Sequence, residues 1–293
     1  MKKVIQKVKE DLPRWVYEVD ADYQTVLSDD IDGLISTNLL KKNCNWTTEY
    51  FYDFDALYVT DEYLEREDKQ ATRVWADIAW VLEGRDEKGF DNHVCRVNDD
   101  DHININMVNP NHNILGSISN ANYYDKYAAS TALMIWSIYD NPLPSSYDGK
   151  MLLLCIDGGF KGFYADDVRF QHSFLFSMVK FGFDSLYDFT TFHQRSSFYQ
   201  FIEQNNLSKK TRINQDGYLE TDLDLNFLSE SLEMNISLPD RHFNKLVEFE
   251  KHDVLNTYGV LRTIRDLGDP VTVAFVGKNK VKYSTLKHAE HIC

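Results

Sequence analysis

The run Val26-Leu-Ser-Asp-Asp-Ile-Asp-Gly-Leu-Ile-Ser-Thr37 decides how the chain is read. Its apolar start, preceded by Tyr23, has the length of a strand. Two acids then close on a glycine, and Leu34, Ile35, Leu39 and Leu40 recur at helical spacing. A strand, a tight acidic turn and a helix follow from that order. The pattern recurs downstream. Strands are predicted at 48–54 and 72–77, and a helix at 123–139 closed by Pro142 and Pro144. The apolar run at 150–156 reads as a buried strand ending in Asp157-Gly-Gly159. Strands alternating with helices predict an α/β fold with a largely parallel sheet.

Outward from this segment, residues 1–20 read as an amphipathic helix broken near Pro13, and the Asn- and Asp-rich stretch 96–122 as loop. Beyond about 165 the segments 170–183 and 198–205 are aromatic-rich and helical. A β-hairpin is expected over 271–276 and 280–284, turning through Gly277-Lys278-Asn279. The division expected is 1–165 as an N-terminal α/β domain, with 166–293 as a smaller, mainly helical substrate or cap domain ending in the hairpin.

The 293 residues are 43% hydrophobic, enough to fill a core and to exclude disorder throughout. Lys+Arg 31 against Asp+Glu 46 gives a net charge of -15, which disfavours broad coating of nucleic acid but leaves room for a phosphate held by a local cation. Cys44, Cys95, Cys155 and Cys293 form no CxxC pair and read as reduced thiols. No apolar window is long enough for a membrane span, and the first ten residues lack a secretory core, so a cytoplasmic protein is expected.

Ligands of open α/β sheets gather at the carboxyl ends of strands. Here Asp30 and Asp32, Asp77, Asp91-Asn92-His93 and Asp157 each follow an apolar run. Carboxylates meeting in one crevice repel unless a cation sits among them, and hard divalent ions accept such oxygens with an occasional imidazole. Singly, each is an ordinary turn or cap residue; their order raises the joint reading. An EF-hand is rejected because Leu39 stands where its bidentate Glu is required. No phosphate-cradling Gly-x-x-x-x-Gly-Lys loop, dinucleotide-binding Gly-x-Gly-x-x-Gly turn or Gly-x-Ser-x-Gly elbow is present. Phe and Tyr in the second half read mainly as core.

These residues resemble the motifs of the DHH phosphoesterase superfamily over about residues 22–165: Asp30-Ile-Asp32-Gly33 its first motif, Trp75-Ala-Asp77 its second, Phe90-Asp-Asn-His93 its Asp-His-His signature, and Leu153-Leu-Cys-Ile-Asp157-Gly-Gly its fourth. The resemblance implies a two-manganese (or magnesium) phosphohydrolase site between two domains. It implies Asp30 on one ion, Asp32 and Asp157 on the other, Asp77 bridging both, and His93 contacting the substrate phosphate or assisting proton transfer. Short single-stranded oligonucleotides or small nucleotides are the implied substrates. Ser28 stands where an upstream ligand is usual, and Asn92, offering an amide oxygen to the metal, where the first His is usual. Those departures imply an alternative, a decayed site kept for binding a nucleotide or a protein partner.

Overall fold

The computed structural model describes residues 2–66, 72–84, 87–255 and 260–287, with side chains from residue 6. Its strands are β1 (Gln24–Ser28), β2 (Thr47–Tyr52), β3 (Ala56–Thr60), β4 (Arg73–Ala76), β5 (Lys88–Phe90), β6 (Met107–Val108), β7 (Thr211–Ile213), β8 (Leu219–Thr221), β9 (Phe243–Leu255), β10 (Pro270–Gly277) and β11 (Lys280–Leu286). The helices are α1 (Lys2–Glu10), α2 (Ile31–Cys44), α3 (Asp61–Leu64), α4 (Pro110–Asn113), α5 (Thr131–Ile138), α6 (Tyr147–Cys155), α7 (Val168–Lys180), α8 (Asp184–Thr191), α9 (Arg195–Gln204) and α10 (Leu225–Leu232).

One large sheet runs β10-β11-β9-β3-β2-β1-β4-β5-β6. Its half from β2 to β6 is parallel, and its half from β2 through β3, β9 and β11 to β10 is antiparallel. The expected largely parallel sheet is therefore corrected to a mixed one. Several strands escaped the pattern, and two of them, β3 and β9, build the antiparallel half. β3 follows β2 after a short acidic turn and reverses direction. β9 alternates apolar with charged residues (Phe243-Asn-Lys-Leu-Val-Glu-Phe249), which mimics a solvated loop. β9 also serves two partners, with Phe243 to Glu248 on β3 and Phe249 to Leu255 on β11. The sheet curls along it until β10 meets the segments that leave β4 and β5. Trp80 bridges Thr272 and Val94 bridges Phe275, and the amides of Val81 and Phe275 donate to Val271 (2.9 Å) and Val94 (2.8 Å). The antiparallel half thus folds over the carboxyl ends of the parallel strands.

Every residue of β1 is buried, as expected of a strand covered on both faces. Leu27 joins Phe51, Val74 and Phe90 in a core packed against α2, α5 and α6, whereas Val26 joins Tyr52, Trp75, Trp80, Phe249 and Val271 beneath the returning strands. The first core also takes in Phe174, Phe198, Leu228 and Phe243, so residues on both sides of the 165/166 boundary share it. The segment beyond that boundary carries β7 to β11 besides its helices, which corrects the mainly helical expectation. Its terminal hairpin is present as expected.

Two further elements differ from expectation. Residues 150–156 are not a strand; 150–155 complete α6, whose Ser146 cap accepts the Gly149 amide at 2.9 Å, and Ile156 begins a 3-10 turn. An apolar run buried all round has no period that tells strand from helix. The helix expected from 123 begins only at Thr131, where Ser130 caps it by accepting from Leu133 at 3.1 Å, because a Ser N-cap resets the helix start. Cys44, Cys95 and Cys155 are buried free thiols, and Cys293 lies outside the described residues. No described helix is long and apolar enough to cross a membrane.

Close approach dictates the glycine of the first turn. A Cβ on Gly33 would lie 1.9 Å from Ser28 Oγ. Gly33→Ala is expected to cost about 1–3 kcal/mol by overpacking, and Ser28→Gly should recover most of it. Urea denaturation of the two single variants and the double variant checks this, and equal stabilities would refute it.

Candidate metal centre

The parallel strands deliver acids to one place. Asp77 follows β4 in a left-handed conformation (φ 63°), with its amide donating to Phe90 at 2.8 Å. Asp91 follows β5 and donates its amide to Val108 at 3.0 Å. In extended chain, residues i and i+2 face one side, so Asp91 and His93 turn together while Asn92 turns away. His93 Nδ1 lies 2.9 Å from Asp91 Oδ1 and 4.0 Å from Asp77 Oδ1. Asp77, Asp91 and His93 each offer one ligand atom, all within 4.8 Å of one another.

Neighbouring amides hold this arrangement. Asn109 Nδ2 donates to Asp91 Oδ2 (3.0 Å) and to the His93 carbonyl (2.7 Å), and Asn111 Nδ2 donates to the Asn92 carbonyl at 2.9 Å. Asp32, in the first turn of α2, accepts from the Thr131 (2.9 Å) and Ala132 (2.7 Å) amides at the N-terminus of α5. Thr131 Oγ1 in turn donates to Asp77 Oδ1 at 2.8 Å, so one residue links two carboxylates. An anion at a helix N-terminus is favourably placed. Asp157 sits in a 3-10 turn at φ 48° and accepts from Asn92 Nδ2 at 2.9 Å. Asp30 caps α2 through Gly33 (3.1 Å), and Lys210 Nζ reaches both Asp29 (2.9 Å) and Asp30 (3.3 Å).

Burial above all, then Asp157 and Asp30, pushes the Asp32 carboxyl well above the usual range, against the Ala132 and Thr131 amides that lower it. Burial again leads for Asp77, whose carboxyl is raised further by Asp32, Asp30, Asp157 and Asp91. For His93 burial alone lowers the imidazole, but Asp91, its hydrogen bond and Asp157 outweigh it and raise the value to about 9. Crowded acids of this kind hold either protons or a cation. The donor set fits Mn²⁺ or Mg²⁺ in its carboxylates, and Mn²⁺ better in its imidazole. Two buried oxygens, Ser28 Oγ and Asn92 Oδ1, have no hydrogen-bond partner among the described residues. A cavity of about 240 Å³ opens over the cluster, walled by Phe54, Lys210, Lys251 and Lys282 together with Asp77 and His93.

Of the expected site residues, Asp32, Asp77 and Asp157 share one field, Asp30 stands at the edge beside Lys210, and His93 lines the cavity. The Asn92 amide nitrogen is engaged by Ala129 (2.8 Å) and Asp157. Asp91 joins Asp77 and His93 in one ligand group, and the Asn92 amide oxygen is buried without a hydrogen-bond partner among the described residues. Asp-x-His immediately after a strand was the available signal. Thr131, Asn109 and the lysines carried none, because only the fold brings them near. His102 lines a separate cavity, and His112 faces Cys95 Sγ at 3.5 Å.

Comparison of the chain with family models, with curated proteins and with solved structures gives no match in any of the three.

The raised imidazole has a consequence for stability. Between its unfolded value of 6.5 and about 9, His93 keeps in the folded state a proton that the unfolded chain has released. Its stabilising contribution is complete below 6.5 and lost as pH rises to about 9. In metal-free protein, urea denaturation is expected to show stability falling across that window. Asp91→Asn should flatten the fall, and a fall unchanged in that variant would refute the assignment.

Proposed function

We propose that the chain is a manganese- or magnesium-dependent phosphoesterase of the DHH type that hydrolyses short oligonucleotides or small nucleotides. One observation carries the reading. Asp77, Asp91 and His93 converge at strand ends, beside Asp32 and Asp157, under a cavity walled by three lysines. A cluster that needs positive charge, beneath cations that attract phosphate, is the electrostatic arrangement of metal-assisted phosphoryl transfer.

Asp77 and Asp91 would hold one ion, and Asp157 with Asp32 a second. Bound there, divalent ions supply an activated water and neutralise charge on the phosphoryl oxygens. The residues of the chain do the rest. Lys251 and Lys282 draw the phosphate into the cavity and orient it. His93, fixed through Nδ1 by Asp91, holds a proton beside the cavity for the departing oxygen. Thr131 keeps Asp77 and Asp32 in register. Residues 166–293 act on this reading as the cap, since Lys210, Lys251 and Lys282 all come from them.

A second reading has an observation of its own. Both Asp32 oxygens accept backbone amides, and Lys210 offsets Asp29 and Asp30. Acids satisfied without ions suit a site that binds a nucleotide or protein partner and performs no chemistry.

Two measurements separate these readings. Hydrolysis with Mn²⁺ across dinucleotides, short single-stranded oligomers and bis(p-nitrophenyl) phosphate is expected to proceed, and to fall by more than about a hundredfold in Asp77→Ala and Asp91→Ala. Millimolar Mn²⁺ should also raise the melting temperature, by the equivalent of about 2.7 kcal/mol at a hundred times Kd. No turnover and no shift would leave the non-catalytic reading standing.

A further inference from the structure

α7 is apolar on two faces, and the chain covers one of them. Its inward face packs Phe174 and Met178 into the main core, with Ser173 and Ser177 buried beside them. Phe174 sits so close to its neighbours that a Cβ on Gly162 would stand 2.8 Å from its own Cβ. On the outward face Val168, Leu175, Phe176 and Val179 are 57%, 38%, 46% and 40% exposed. A helix that is apolar all round is normally covered all round. Single exposed apolar residues need no explanation, whereas a row of them along one helix marks a surface that meets another.

The order of the row restricts what can cover it. Val168, His172, Leu175 and Val179 are separated by four, three and four positions. The row therefore reads the same from either end, with its midpoint between Ser173 and Phe174. Spacing of this kind forms a seam along one side of a helix, suited to a second helix lying at a small crossing angle. The two ends carry opposite charge: Asp166 and Asp167 precede the helix, and Lys180 ends it. Asp167 is taken by Arg169 at 2.8 Å. Among the described residues neither Asp166 nor Lys180 makes an ion pair, and Lys180 Nζ lies 5.6 Å from the centre of the Phe176 ring.

A second copy laid antiparallel about that midpoint meets each of these conditions. Val168 comes level with Val179, His172 with Leu175, and Lys180 with the acids at 166 and 167, at both ends. The positive end of each helix dipole also lies beside the negative end of the other. A parallel arrangement would set like charges together at both ends instead. Because the same patch serves both copies, the contact closes on itself as a two-fold.

We infer that α7 is a self-association surface through which two copies of the chain form an antiparallel dimer, with Val168, Leu175, Phe176 and Val179 as its apolar seam and Lys180 against Asp166 and Asp167 at its ends. A helix of 13 residues spans roughly 20 Å, which makes a small interface, so the association is weak and depends on concentration. α7 packs in turn on the 3-10 turn Ile156–Gly162, which sets the dimer contact one helix away from Asp157.

Sedimentation velocity of the full chain is expected to show a monomer–dimer equilibrium between about 1 and 300 µM. Leu175→Glu/Val179→Glu should leave monomer alone over that range. Asp166→Lys and Lys180→Glu each set like charges at both ends, and each should weaken the dimer about fivefold or more. Mixed in equal amounts, these two variants regain an opposite pair at each end and should associate with one another as tightly as the unaltered chain. That mixing experiment reads the same surface without touching its apolar residues, so it stands even if the double glutamate variant fails to fold. A chain that stays monomeric throughout, as it would if the face served a different protein or a lipid surface, overturns the proposal. So does a dimer indifferent to Leu175→Glu/Val179→Glu, or a pair of charge variants that does not recover on mixing.

Discussion

Repulsion among buried carboxylates is the constraint on which the arrangement of this protein turns. Asp32 and Asp77 are buried, and Asp91 and Asp157 stand in the same field. Water does not reach them freely enough to screen them, so the surrounding polypeptide must. The N-terminus of α5 gives two amides to Asp32 and a hydroxyl to Asp77, and Asn109 gives an amide to Asp91. Each donor reduces the penalty of collecting negative charge without removing it, since both the Asp32 and Asp77 carboxyls remain raised. The residual potential is what a divalent cation, or the phosphate-seeking lysines nearby, can work with.

Concentrated charge needs a sheltered place, and the curl of the sheet provides it. Had the sheet stayed open at β3, the carboxyl ends of β4 and β5 would face solvent. Instead β9 carries the chain from β3 to β11, and β10 hydrogen-bonds to the segments just past Asp77 and Asp91. The same strands that shelter the acids present Lys251 and Lys282 to them. The acids come from the first 157 residues and the facing lysines from beyond 209, so the cavity exists only once both are folded together.

In the parallel half β1, β2 and β4 were legible as apolar runs, whereas β6 lies in the Asn- and Asp-rich stretch that reads as loop. Asp30-Ile-Asp-Gly33 marked both the end of β1 and the start of α2, and the structure places both where that segment implied. The antiparallel half was harder to see. β3 is short and β9 alternates charge with apolar residues, so neither differs locally from loop. The run before Asp157 was misread for a different reason. Full burial removes the polar face that distinguishes helix from strand, and α6 is buried on nearly every side.

By itself the sequence determined the chemistry on offer: acids placed after apolar runs, an Asp-x-His after β5, and a helix start at Asp30, because these depend on neighbours one to four residues apart. Only the tertiary structure decided which of those acids share a field, that Asp91 joins Asp77 and His93, and which lysines look upon them. Side-chain direction in an extended segment alternates with every residue, and the closing strands arrive from more than a hundred positions away. No local pattern encodes either.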